Sequence, residues 1–126
     1  MGVTYDTGAL IAADRGERRT WARHRALLVR REVPVVPAPV LAQAWRGSNR
    51  QANLSRLLSG CHIEPLDGTR AKATGALATR AGTSDIVDAF VVEGALRRHD
   101  LVITSDPGDL HAIATAAGQR LDTDHP

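Results

Sequence analysis

A chain of 126 residues, 43% of them hydrophobic, can bury one core and has little room for a second, so a single domain spanning residues 1–126 is expected. The lone cysteine, Cys61, excludes an internal disulfide framework and a cysteine-based zinc cluster, and it fits a reducing compartment. The net charge of +2 hides an uneven spread, with ten arginines between Arg15 and Arg56 and ten of the fourteen acids from Glu64 onward.

Residues 2 to 6 read as a short strand, and Thr7 to Ala13 continue as helix formers before a turn near Arg15-Gly16. Residues 17 to 31 carry Trp21, Leu27 and Leu28 among arginines at helical spacing, and Val33 to Val36 reads as a second buried strand. Pro39 suits the first turn of a helix carrying Val40, Leu41, Gln43, Ala44 and Trp45. After the break at Gly47-Ser48-Asn49, a short helix is expected over Gln51 to Leu58 and a third strand over Gly60 to Leu66. Thr69 to Arg80 reads as helix. Asp85 to Arg98 is the clearest helix, with Ile86/Phe90 and Val87/Val91 as apolar pairs one turn apart. Leu101 to Ile103 is a fourth strand, Asp106 to Ala117 the last sizeable helix, and Arg120-Leu121 a short final strand.

Strands alternating with helical segments predict an α/β fold: a central, mainly parallel sheet of four to five strands covered by helices, with functional groups at the carboxyl ends of the strands. No stretch has membrane-spanning length and no signal segment is evident, so a soluble, cytoplasmic protein without a membrane partner is expected. Asp6 also stands where a myristoylation signal wants Ser or Thr.

Asp6 ends the first strand and Asp106 follows the fourth, which places both at the same edge of a parallel sheet. Asp85 and Asp88 share a helix face, as do Asp106 and Asp109. Helix capping alone can account for Asp85, Asp88, Asp106 and Asp109, since Pro107 follows Asp106 and acids favour a first turn. It does not account for Asp6. So many carboxylates together repel unless a hard cation such as Mg²⁺ or Mn²⁺ offsets them. A basic half that attracts phosphodiester chains would complement such a site.

Four segments carry a family resemblance: Asp6-Thr7-Gly8-Ala9-Leu10, Pro37 to Gln43, Asp85-Ile86-Val87-Asp88-Ala89, and Thr104 to Leu110. In this order and with these gaps the chain resembles a PIN domain of the VapC toxin kind, over nearly its whole length. The resemblance implies a three-layer α/β/α sandwich and a metal-dependent endoribonuclease acting as the toxin of a toxin–antitoxin pair. By position it makes Asp6, Asp88 and Asp106 the core catalytic and metal-binding acids, with Asp85 and Asp109 as neighbouring ligands. Thr7 and Ser105 would support them. Gln43 departs from the pattern, because many members carry a glutamate there; its carbonyl can still ligate an ion or position water, but it brings no charge. That departure sustains the alternative of a catalytically quiet module that binds RNA or protein.

The resemblance further implies an antitoxin partner, whose arginine would suit an acidic pocket, and a homodimer. The helices carrying Trp21, Leu27, Trp45 and Leu54 are where exposed apolar contact surfaces are expected. Arg15, Arg18, Arg46 and Arg50 lie near the two N-terminal motifs and are candidates for gripping RNA phosphates. The five histidines show no mutual spacing that suggests a zinc site, and Cys61 reads as a small core residue. The chain lacks a Gly-rich phosphate loop with lysine, and Gly8 stands where an aspartyl-phosphate phosphatase needs a second Asp.

Overall fold

The structure is a computed structural model that describes residues 2–126. Its elements run β1 (Val3–Tyr5), α1 (Thr7–Asp14), α2 (Arg18–Val29), β2 (Val35–Pro37), α3 (Ala38–Ala44), α4 (Ala52–Leu58), β3 (His62–Glu64), α5 (Gly68–Ala81), α6 (Ile86–Arg98), β4 (Leu101–Ile103), α7 (Pro107–Ala116) and β5 (Thr123–Asp124). The strands form one parallel sheet in the order β3-β2-β1-β4-β5.

The order decides where a site can form. From β1 the chain steps outward through β2 to β3, then returns past β1 to add β4 and β5 on the other side. Parallel crossovers are right-handed, so helices before and after this reversal cover opposite faces. The packing agrees: α1 touches α2, α3 and α4, whereas α5, α6 and α7 pack on one another. The result is a three-layer α/β/α sandwich. The direction of winding reverses between β1 and β4, and a crevice opens outside the carboxyl ends of those two strands.

Strands of two or three residues suffice because both faces are covered. Tyr5, Val36, Val102 and Ile103 are buried from the sheet, and Leu10, Val40, Leu54, Leu57, Phe90, Val91, Val92 and Leu110 seal it from the helices. Beneath α6 lies a charged cluster. Arg98 donates to Glu64 Oε2 at 2.8 Å, to Asp100 Oδ2 at 2.9 Å and to the Thr4 hydroxyl at 3.0 Å. Arg97 bridges Glu64 and Glu93, and Arg70 reaches Glu93 at 2.7 Å. Burial raises the Glu64 carboxyl, but hydrogen bonds from Arg98 and Arg97 outweigh it and hold the group below its ordinary value.

Three expectations need correction. The final strand is Thr123–Asp124 rather than Arg120-Leu121: Gly118, at φ +69°, turns the chain after α7, and only Thr123 and Asp124 reach register with Val102 and Ile103. Trp45 follows α3 as its C-cap and is 43% exposed. On the helices expected to offer apolar contact surface, Trp21, Leu27 and Leu54 are themselves buried; the exposed large apolar residues are Ile11, Leu28, Val29, Val33, Trp45, Leu66 and Ile86. Trp21 packs edge-on to the buried His24, whose Nδ1 lies 2.9 Å from the Tyr5 hydroxyl, and Arg56 stacks over the indole at 4.6 Å. Burial pushes the Cys61 thiol up to about 12, so it is not a nucleophile.

Candidate active site

At the reversal crevice, three helices start. Asp6 is the N-cap residue of α1, Asp85 of α6 and Asp106 of α7, and Asp88 and Asp109 lie in the first turns of α6 and α7. These five carboxylates, with Thr7, Gly8, Gln43, Thr104 and Ser105, line one cleft of about 230 Å³. Every acid singled out in the sequence is on it, as are Thr7, Gln43 and Ser105. A second cleft of about 240 Å³, lined by Ala81, Thr83, Ala112 and Ile113, shares Asp85, Asp88 and Asp109 with the first.

Hydrogen bonds separate capping from site-building among these acids. Asp85 does cap, accepting from the Asp88 backbone N–H at 3.0 Å. Asp6 and Asp106 occupy cap positions without a side-chain cap bond. Asp6, only 8% exposed, instead accepts from the Thr104 hydroxyl at 2.8 Å, and Thr104 accepts in turn from the Asp106 N–H at 3.0 Å. One buried threonine thus ties the acid that ends β1 to the acid that opens α7. Sequence reasoning assigned the neighbouring Ser105 and missed Thr104; the signal was its place directly after Ile103, where an inward-facing polar residue needs a partner.

Gly8 is required by close approach. A Cβ there would lie 2.8 Å from the Ser105 Cβ and 3.0 Å from the Ser105 backbone nitrogen, so only glycine lets the two loops meet. Gln43, at the mouth of the cleft, accepts from the Thr7 hydroxyl at 2.7 Å through Oε1. One lone pair of the carbonyl expected to face an ion or a water is thereby engaged by Thr7.

The electrostatics are unbalanced. Desolvation first, then the charges of Asp85 and Asp6, hydrogen bonding with Asp85 and the charge of Asp109, push the half-buried Asp88 carboxyl up to about 7. No arginine or lysine lines the cleft among the described residues. Arg15, Arg18, Arg46 and Arg50 are absent from its lining: Arg15 caps the far end of α1, Arg18 opens α2, and Arg46 folds back onto the Trp45 carbonyl at 3.1 Å. Any contact these arginines make with a substrate would lie outside this cleft.

A cleft walled by carboxylates has the hard oxygen donors that Mg²⁺ or Mn²⁺ takes. Among the described residues, no three His, Cys, Asp or Glu side chains stand in a ready coordinating arrangement. The donor set therefore fits an ion held through one or two carboxylates with water completing its shell, as Mg²⁺ prefers.

Comparison with known proteins agrees with this architecture. The family model for the PIN domain matches residues 3–117. No curated protein matches significantly in sequence. Among solved structures, the fold resembles a chain of VapBC2 from Rickettsia felis bound to a DNA fragment from their promoter, at TM-score 0.72 and 15% identity over 100% of this chain and 99% of that one. It also resembles a chain of a toxin–antitoxin complex from Klebsiella pneumoniae, at TM-score 0.65 and 20% identity over 86% and 89%. The third, from FitAcB of Neisseria gonorrhoeae, gives TM-score 0.65 and 16% identity over 96% and 95%. At these identities the likeness establishes the fold.

Proposed function

The chain belongs to the PIN-domain family, and on that premise we propose that it is a divalent-metal-dependent endoribonuclease acting as the toxin of a toxin–antitoxin pair. The observation that carries this reading is the convergence of Asp6, Asp85, Asp88, Asp106 and Asp109 on one cleft, where burial and the neighbouring carboxylates push Asp88 up to about 7. A site that strains to stay ionised is suited to a divalent ion.

In this reading one or two of Asp6, Asp88 and Asp106 would hold Mg²⁺ or Mn²⁺ directly, and the remaining acids, Asp85 and Asp109 among them, would act through its water shell. When bound, the ion supplies activation of a water and neutralisation of charge developing on the scissile phosphate. The protein's own part is to fix and orient. Thr104 holds the Asp6 carboxylate from below, Gly8 lets Ser105 close against α1, and the Asp85 cap fixes the first turn that carries Asp88. Any of the three core acids can orient the attacking water. Arginines outside the cleft, such as Arg46 and Arg50, are exposed and serve to grip RNA away from the reacting phosphate.

The structural neighbours include toxin–antitoxin complexes, and we extend that assembly to this chain: an antitoxin arginine would pair with the acidic cleft, and the exposed Ile11, Leu28, Val29 and Trp45 offer apolar surface to the antitoxin or to a second copy in a homodimer. No described helix is long and apolar enough to cross a membrane.

The test is incubation of the purified protein, freed of any antitoxin, with total bacterial RNA in Mn²⁺, beside EDTA and an Asp6→Asn, Asp88→Asn double variant. Discrete fragments lost in both controls support the nuclease. Intact RNA, with Mn²⁺ binding seen by calorimetry, favours the quiet module.

A further inference from the structure

We infer that Gln43 is a substrate-contacting residue of this site, its amide N–H donating to a phosphate oxygen of the bound nucleic acid, rather than an ion ligand. The inference rests on the nuclease reading above and concerns one residue within it. The Gln43 Oε1 already accepts from the Thr7 hydroxyl at 2.7 Å, which turns Nε2 away from Thr7. This orientation is also the one the surroundings favour, because the reverse would point the negative end of the amide dipole into a cleft walled by five carboxylates.

A phosphodiester anion entering an acidic cleft needs hydrogen-bond donors beyond any ion. The lining side chains offer few. The Thr104 hydroxyl hydrogen is committed to Asp6 and the Thr7 hydrogen to Gln43, and no cationic side chain lines the cleft among the described residues. That leaves the Ser105 hydroxyl and the Gln43 amide. Gln43 is exposed at the cleft mouth, where a backbone phosphate would pass, and a neutral amide keeps its hydrogens at every pH. A glutamate at this position would repel the same phosphate. The exchange of acid for amide therefore moves one residue from the ion's side of the site to the substrate's side.

The discriminating experiment compares wild type with Gln43→Met, which keeps the size and loses the donor, and Thr7→Val, which frees the amide to rotate. Mn²⁺ affinity is read by calorimetry, and kcat/KM on RNA is read across a Mn²⁺ titration. The expected result is Mn²⁺ affinity within about twofold of wild type in Gln43→Met, with kcat/KM lower by about tenfold, as for loss of a hydrogen bond to a charged group, and not restored by excess Mn²⁺. Thr7→Val should show a smaller fall in kcat/KM, again not restored. A tenfold loss of Mn²⁺ affinity in Gln43→Met, or full rescue by excess Mn²⁺, makes Gln43 an ion ligand and overturns the inference. Unchanged kcat/KM overturns it equally. A wild type that neither binds Mn²⁺ nor cleaves RNA refutes the nuclease reading itself, and this inference falls with it.

Discussion

Asp88→Asn is expected to stabilise the metal-free protein at pH 8 and to change it little below about pH 4. Burial, reinforced by Asp85, Asp6 and Asp109, raises the carboxyl from 3.8 to about 7 in the folded state. With the folded value above the unfolded one, the native state holds a proton that the unfolded chain releases. The stability this gives is fully present below about pH 4 and is lost as pH rises through about 7. At 1.36 kcal/mol per pH unit the full difference is about 4 kcal/mol; because Asp88 is only half-buried, solvent screening reduces it to about 2 kcal/mol. Asparagine is neutral throughout and keeps the backbone N–H that Asp85 caps. Urea denaturation in EDTA should give about 2 kcal/mol in favour of the variant at pH 8, a shift of about 8 °C in Tm at about 4 °C per kcal/mol. Mn²⁺ at pH 8 should then stabilise wild type more than the variant, since only wild type keeps the full ligand charge. A variant no more stable than wild type at pH 8, or an equal gain below about pH 4, would refute the reasoning.

Thr104→Val should cost about 1–3 kcal/mol in urea unfolding and weaken Mn²⁺ binding, because it leaves the buried Asp6 carboxylate and the Asp106 N–H without their shared partner; Thr104→Ser should recover most of both, and a loss below about 0.5 kcal/mol would remove the threonine from the site's framework. Arg98→Met leaves the buried Asp100 without a cation and Glu64 with Arg97 alone, and chemical denaturation should show a loss of about 3–5 kcal/mol. A loss under about 1 kcal/mol would mean that water already compensates these acids. Burial lowers the His24 pKa below 6.5, so its contribution is present above the unfolded value and is lost as pH falls through the folded one. Measured in Asp88→Asn to remove the opposing slope, stability should fall between pH 7 and pH 5, and His24→Gln should flatten that fall; a slope that survives the substitution has another source.

Much of this was legible in the chain because it is local. Alternation of apolar runs with helical periodicity locates β1 to β4 and all seven helices, since each burial face repeats within a few residues. The three acidic segments are legible for the same reason: each acid stands at a strand end, at a helix N-cap or in a first helical turn. What escaped was non-local. The commitment of the Gln43 carbonyl depends on Thr7, and the role of Thr104 depends on Asp6, almost a hundred residues away. Trp45 reads as part of the helix because its spacing continues α3, but the helix stops at Ala44 and Trp45 follows as its exposed C-cap. Arg15, near the first motif in sequence, is remote from the cleft in space: α1 is eight residues long, so Arg15 stands about 12 Å from the end that carries Asp6.

The two readings of the aspartates, helix caps or ion site, are compatible in one arrangement. Three helices begin at the reversal between β1 and β4, and each begins on an aspartate: Asp6 for α1, Asp85 for α6, Asp106 for α7. Each N-terminus contributes partial positive charge and unpaired N–H groups, worth about 0.3–1 kcal/mol to a nearby anion. That is enough to let carboxylates gather there in a folded chain without an ion. It is not enough to satisfy all of them, since Asp88 still stands near neutrality while Asp85 alone accepts a cap hydrogen bond. The helix ends therefore assemble the acids and leave an unmet demand for positive charge at the cleft. A divalent cation would meet that demand, and in the proposed complex an antitoxin arginine could compete for the same carboxylates, so inhibition and metal loading would be alternative answers to one electrostatic deficit.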